Sequence, residues 1–159
     1  MRTMAGEPPV SEVLFDDTGV VLFPVLADGS VGPACDVMLT GGNGDLSADW
    51  RKDVDPVSGH IQLVRVISRL HSVMESPDGN MYVTCDNGMD RVISFRLDRE
   101  NGKLTQLHSY PMEELACFPR YGVFHPHLPF FYSNNENLAM LHCFSYKSKE
   151  GSLRLEQKV

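Results

Sequence analysis

Long hydrophobic runs are what this 159-residue chain most obviously lacks. Its longest apolar stretch, Val20 to Ala27, is interrupted by Pro24 and falls far short of the roughly 20 residues that a spanning helix needs. The first residues, Met1 to Pro9, hold no continuous apolar segment of the secretory type, so a cytoplasmic home is expected. Basic residues are scarce: 14 Lys and Arg against 21 Asp and Glu leave a net charge of −7. Nucleic acid and anionic membrane are therefore excluded as expected partners, since both require clustered Lys and Arg. Cysteine is limited to Cys35, Cys85, Cys117 and Cys143, with no Cys-x-x-Cys spacing and no paired histidines. That spacing argues against a disulfide scaffold and predicts reduced thiols. Amphipathic helical periodicity is missing too. What remains, 42% hydrophobic and 22% charged residues, is ordinary globular composition with enough apolar material for a core.

What the chain does contain is short apolar runs, each followed by a cluster of Gly, Asp, Asn and Pro. Sliding the sequence by 49 residues lays His71 to Gln106 on Arg120 to Leu155 without a gap. Pro77 then meets Pro126, Phe95 meets Phe144, Gly102 meets Gly151 and Leu104 meets Leu153. These identities fall on turn and strand positions, where a repeat must agree with itself. Each copy reads as four strands: His71–Glu75, Met81–Cys85, Arg91–Leu97 and Leu104–Tyr110, then Arg120–His125, Phe130–Asn134, Met140–Tyr146 and Leu153–Lys158. In the third, Ile93, Phe95 and Leu97 alternate with Val92, Ser94 and Arg96, as a strand requires. Ser76-Pro77-Asp78-Gly79 supplies the turn, with Pro presetting φ and Gly accepting positive φ. Four antiparallel strands at a period near 50 describe one blade of a β-propeller.

The sequence therefore predicts an all-β chain of about two full blades plus a shortened N-terminal one, an incomplete ring in a single partial domain. Residues 10–40 form the shortened blade, 41–70 a connector, 71–110 and 120–159 the full blades. Glu12 to Gly19 resembles a first strand and its turn, and Ala27-Asp28-Gly29-Ser30-Val31 repeats the turn at Glu150 to Leu153. Between Gly19 and Val20 there is no room for a second strand. Gly41 to Gly59 reads as a polar connector, with Asp49-Trp50 in a loop, and Ile61 to Ile67 as an extra apolar stretch. Open strand edges at both ends predict self-association.

A four-stranded meander puts the start of strand one and the loop after strand two at the same end of a blade. His71, Arg120 and the loop Asn134-Asn135-Glu136-Asn137 thus converge: a base, a cation and a carboxylate. Such a set suits lactone chemistry, with Arg gripping an anionic group in a bidentate fork. One of His71 and Glu136 would activate water and the other protonate the leaving oxygen. Each also has a plain structural reading, as a polar strand end, a turn cap or a solvated loop carboxylate. His125-Pro126-His127 lacks metal-ligand spacing, because its two side chains point to opposite sides.

At these residues the sequence resembles the lactonase family of seven-bladed β-propellers. That family includes 6-phosphogluconolactonases of the cycloisomerase 2 type and the 3-carboxy-cis,cis-muconate lactonizing enzymes. His71-Ser72-Val73 followed by Ser76-Pro77-Asp78-Gly79 is similar to its HS…SPDG signature. Asp90-Arg91-Val92, Phe95-Arg96-Leu97-Asp98 and Gly102-Lys103-Leu104 continue it in order. Pro119-Arg120 with Phe124-His125-Pro126 resembles its PRH…FHP motif, Asn135-Glu136 its NE dipeptide, and Leu22-Phe23-Pro24 with Ala27 to Ala34 the end of a preceding blade. The resemblance implies a hydrolase opening an anionic sugar-acid lactone such as 6-phosphogluconolactone. His71 and Glu136 would be catalytic, and Arg120, Asn135 and Tyr121 would bind substrate, with no metal and no cofactor. Alternatives are the lactone-closing carboxymuconate cycloisomerase reaction, or a non-catalytic truncated propeller serving as a binding scaffold. The chain departs from the pattern where Tyr121 replaces a histidine after Pro-Arg, and where Arg69-Leu70 replaces Pro-His before His71.

Overall fold

The computed structural model describes residues 9–11, 19–40, 50–54, 61–65, 68–114 and 116–159. Among them every regular element is a strand. Three strands, β1 (Pro9–Ser11), β2 (Gly19–Pro24) and β3 (Asp36–Leu39), make an N-terminal sheet. β4 (Trp50–Val54) and β5 (Ile61–Arg65) pair as an antiparallel hairpin. Blade one is the meander β6 (Leu70–Glu75), β7 (Tyr82–Asp86), β8 (Arg91–Asp98) and β9 (Lys103–Pro111). Blade two repeats it as β10 (Pro119–Phe124), β11 (Phe130–Asn135), β12 (Leu141–Lys147) and β13 (Ser152–Lys158). The described residues form an all-β partial propeller with no closed ring. All eight blade strands start and end within one residue of the positions expected from sequence.

The turns explain that agreement. At Ser76 to Met81, the Asp78 carboxylate accepts from the Ser76 hydroxyl at 2.7 Å and from the Asn80 side-chain amide at 3.0 Å. Gly79 takes φ 70°, a left-handed conformation that a side chain would strain. In the N-terminal sheet, a bridge between Val25 and Val31 closes the turn at residues 26–30, and the Ser30 amide and hydroxyl both donate to Asp28.

Two expectations change. Trp50 opens β4 rather than lying in a loop, and the stretch read as a polar connector carries β4, which pairs with β5 in the apolar stretch that follows. Trp-Arg-Lys-Asp-Val has too few apolar residues to register as a strand by pattern; pairing with Ile61–Arg65 supplies what composition lacks. Glu12 to Thr18, read as a first strand and turn, lie outside the described residues.

The core forms between sheets. Val20, Leu22 and Met38 of the N-terminal sheet pack against Leu70, Tyr82, Ile93, Phe95 and Leu97 of blade one. The other face of blade one, with Met81, Val83, Cys85 and Val92, packs on Phe124, Phe131, Phe144 and Leu153 of blade two. Phe95, Phe131 and Phe144 are fully buried, and burying each contributes about 1.5–3 kcal/mol. Polar links fasten the same seams: Asp36 takes the Leu104 amide at 2.7 Å and the Lys103 ammonium at 2.9 Å, and Arg96 donates to the Lys149 carbonyl at 2.6 Å. All four cysteines are free. Burial pushes the Cys85 and Cys117 thiols up to about 12, so neither is a nucleophile at neutral pH.

Candidate functional site

Both blades build the same scaffold at the start of their first strand. The β6–β7 ladder slips between Leu70 and Ser72, leaving His71 at a bulge. The β10–β11 ladder slips between Pro119 and Tyr121, leaving Arg120 at the equivalent bulge. A bulge re-aims the side chain of the extra residue out of the strand's alternation. Opposite each bulge, the loop after the second strand is pinned by one backbone bond. The Asn87 N–H donates to the Arg69 carbonyl at 2.8 Å, and the Glu136 N–H to the Phe118 carbonyl at 2.9 Å. These four anchor residues obey the 49-residue offset, as do Asp90 and Ala139, which take φ 48° and 49° in the following turns. β6 packs beside β10, so the bulges of the two blades lie at the same end of neighbouring strands.

On this scaffold the chemistry gathers around Glu136. Arg120 Nη1 lies 2.6 Å from Glu136 Oε1, with both side chains partly exposed. Asn87 Nδ2 donates to Glu136 Oε2 at 3.2 Å, so the carboxylate is held by one donor from each blade. Arg120 also sits 5.7 Å from the centre of the exposed Tyr121 ring. Its Nε is buried with no hydrogen-bond partner, an unmet donor beside the ion pair. His71 is partly buried and occupies in blade one the place that Arg120 has in blade two.

Asn135 lies elsewhere. Read from sequence as a substrate contact, it is buried, because it ends β11 on the face turned into the blade. Its Nδ2 meets His142 Nδ1 at 2.6 Å. His142 Nε2 lies 3.3 Å from Glu114, whose carboxyl is held low first by the Lys158 ammonium at 2.6 Å. This chain of contacts runs from the outer strand to the residue preceding Glu136, so Asn135 positions the loop. The sequence reading missed Asn87 although the signal was available: it is the 49-residue counterpart of Glu136. His125 caps its own turn, its Nδ1 accepting from the His127 and Leu128 amides at 3.1 and 3.0 Å. Among the described residues, no group of three His, Cys, Asp or Glu side chains is arranged to hold a metal ion.

The sequence profile of the family described as lactonase, 7-bladed beta-propeller, matches residues 15–159. The chain belongs to this lactonase family. Solved structures similar to this lactonase-family chain include the periplasmic gluconolactonase of Pseudomonas aeruginosa, at 24% identity and a TM-score of 0.66 over 98% of this chain and 40% of that one. A Bacteroides fragilis protein proposed to be a 6-phosphogluconolactonase matches at 24% identity and a TM-score of 0.65, over 89% of this chain and 37% of that one. A Bacteroides uniformis protein, likewise proposed to be a 6-phosphogluconolactonase, matches at 21% and 0.65, over 92% and 41%. At these identities the structural likeness speaks for the fold. The lactonase-family chain spans about two fifths of the length of these three proteins. No curated protein matches its sequence significantly.

Proposed function

We propose that this chain supports hydrolysis of an anionic sugar-acid lactone of the 6-phosphogluconolactone type. The observation that carries the reading is the Arg120–Glu136 pair, bridged to Asn87 of the neighbouring blade. Family membership and the gluconolactonase among its structural relatives support the reaction class. Arg120 is the anion clamp: a guanidinium offers planar, bidentate donors to a carboxylate or phosphate. Both partners of Glu136 are donors, an arrangement suited to a carboxylate that accepts. In the proposed step Glu136 takes a proton from water as the water oxygen attacks the lactone carbonyl. The ring C–O bond then breaks, and His71 protonates the leaving ring oxygen, giving the open hydroxy acid. The Tyr121 ring, stacked near the guanidinium, would flank the bound substrate.

The test is 6-phosphogluconolactone hydrolysis by purified, size-checked protein, with spontaneous opening subtracted. Glu136→Gln should lower kcat by roughly 100-fold or more. Arg120→Ala should act mainly on kcat/KM, by a factor of about 10–100 for a lost charge-assisted contact. Folded wild type with turnover equal to that of both variants would overturn the reading, leaving a non-catalytic scaffold.

A further inference from the structure

A buried titratable group, His142 on β12, takes no part in the step proposed for Glu136. It is 1% exposed and stands where the 49-residue offset puts Ile93 of blade one, a fully buried aliphatic residue. An imidazole in a core position costs free energy unless its nitrogens find partners, and both nitrogens here do. Nδ1 lies 2.6 Å from Asn135 Nδ2, and Nε2 lies 3.3 Å from Glu114 Oε2. A side-chain amide nitrogen only donates, so Nδ1 is the bare nitrogen and the ring proton sits on Nε2, aimed at Glu114. The far end of this chain is fixed. Lys158 Nζ meets the other oxygen of Glu114 at 2.6 Å, and the imidazole stacks on the Phe144 ring with 6.1 Å between centres. His142 thus presents a held acceptor to Asn135 from inside the core.

The near end is Asn135, the last residue of β11 and the neighbour of Glu136. Its Oδ1 is buried with no hydrogen-bond partner, so the Nδ2 contact with His142 is what orients the amide. Blade one holds the corresponding residue with more donors. Asp86 takes the Ser68 hydroxyl at 2.9 Å, the Arg69 amide at 2.8 Å and Arg91 Nε at 2.9 Å. On blade two that task falls to the imidazole. From Asn135 the loop is tied through its backbone: the Asn135 N–H donates to the Met140 carbonyl and the Glu136 N–H to the Phe118 carbonyl, both at 2.9 Å. We propose that His142 is a positioning residue for Glu136: its bare Nδ1 holds Asn135, and Asn135 holds the β11–β12 loop so that the carboxylate stays between Arg120 and Asn87. The imidazole itself stays in the core, away from the substrate. The proposal rests on the reading of Glu136 as the group that takes a proton from water, and it adds the part of the core that sets the place of that carboxylate.

Amide hydrogen exchange followed by NMR at one pH reads the loop directly. The Asn87 amide, which donates to the Arg69 carbonyl at 2.8 Å in blade one, is the internal control. In His142→Leu and in Asn135→Ala the Glu136 amide should exchange about 10-fold faster, the worth of one lost hydrogen bond, with the Asn87 amide unchanged. In 6-phosphogluconolactone hydrolysis both variants should lose about 10-fold in kcat at unchanged KM, because Arg120 still binds the anion. His142→Leu should add no further loss in the Asn135→Ala background. His142→Asn, whose Oδ1 takes the place of Nδ1, should recover most of both losses. His142→Gln, which keeps only the donor toward Glu114, should not, and it replaces His142→Leu if the leucine variant fails to fold. Exchange at Glu136 that stays unchanged, or that rises equally at Asn87, would overturn the proposal. So would kcat losses that add in the double variant, or equal behaviour of the Asn and Gln variants. Turnover indifferent to Glu136→Gln would instead overturn the reading of Glu136, and the exchange data alone would then decide whether His142 places the loop.

Discussion

Blades one and two share a skeleton and differ in what they mount on it. Both carry a bulge in the first strand, a loop amide pinned to the carbonyl two residues before that bulge, and a left-handed residue in the next turn. Onto these positions blade one puts His71, Asn87 and Asp86, whereas blade two puts Arg120, Glu136 and Asn135. Even the supporting partners change. Buried Asp86 takes Arg91 Nε at 2.9 Å and the Ser68 hydroxyl at 2.9 Å, while buried Asn135 meets His142. The lesson is that backbone geometry sets where a functional group stands, and the repeat leaves its chemistry free to vary. Neighbouring blades can then bring different groups to one place, as Asn87 and Arg120 do around Glu136.

The comparison breaks most severely at the phenylalanine both blades keep. Phe144→Ala and Phe95→Ala should each cost about 3–5 kcal/mol in urea unfolding. They lie in different seams, so a shared core predicts one cooperative transition in both variants; two transitions would mean that the sheets unfold separately. Next in size is a functional asymmetry. Asn87→Ala should lower lactone kcat/KM by roughly 10-fold, the worth of one hydrogen bond to a charged group, against the larger loss from Glu136→Gln. Equal losses would make the two blades equal partners in the chemistry.

A third contrast concerns packing. A Cβ at Gly122 would come within 2.1 Å of the Phe131 ring, whereas the same position in blade one holds Val73. Gly122→Ala should therefore destabilise by about 1–3 kcal/mol through overpacking, and Val73→Ala by about 1 kcal/mol, the usual size for a point substitution. The smallest effect is on the pH dependence. The Asp78 carboxyl is held well below its ordinary 3.8, first by the Ser148 hydroxyl of blade two at 2.5 Å, then by Asn80 and Ser76. A depressed carboxylate contributes stability above its unfolded pKa and loses it as pH falls toward the folded value. Stability should thus decline below about pH 4, and Asp78→Asn should flatten that limb. Ser148→Ala, removing only the donor from blade two, should flatten it less.

Strand boundaries were legible because period-2 alternation and turn chemistry act within a few residues, as at Ile93-Ser94-Phe95 and Ser76 to Gly79. Convergence of Arg120 with Glu136 was legible too, since a meander fixes which ends meet. Asn87 was overlooked because its role depends on a neighbouring blade, although its repeat position marked it. Asn135 could not be placed by pattern, since one step along a strand end separates a buried amide from an exposed carboxylate. Trp50 was misplaced because the apolar pattern of β4 is weak and its strand identity comes from pairing with β5.

The sequence by itself determined the all-β class, the repeat, the eight blade strands and the family, all of which rest on local alternation and ordered motifs. Only the tertiary structure decided that Glu136 is held from two blades at once and that Asn135 faces inward. Those are relations between residues far apart in sequence, and they come into being only when the sheets pack.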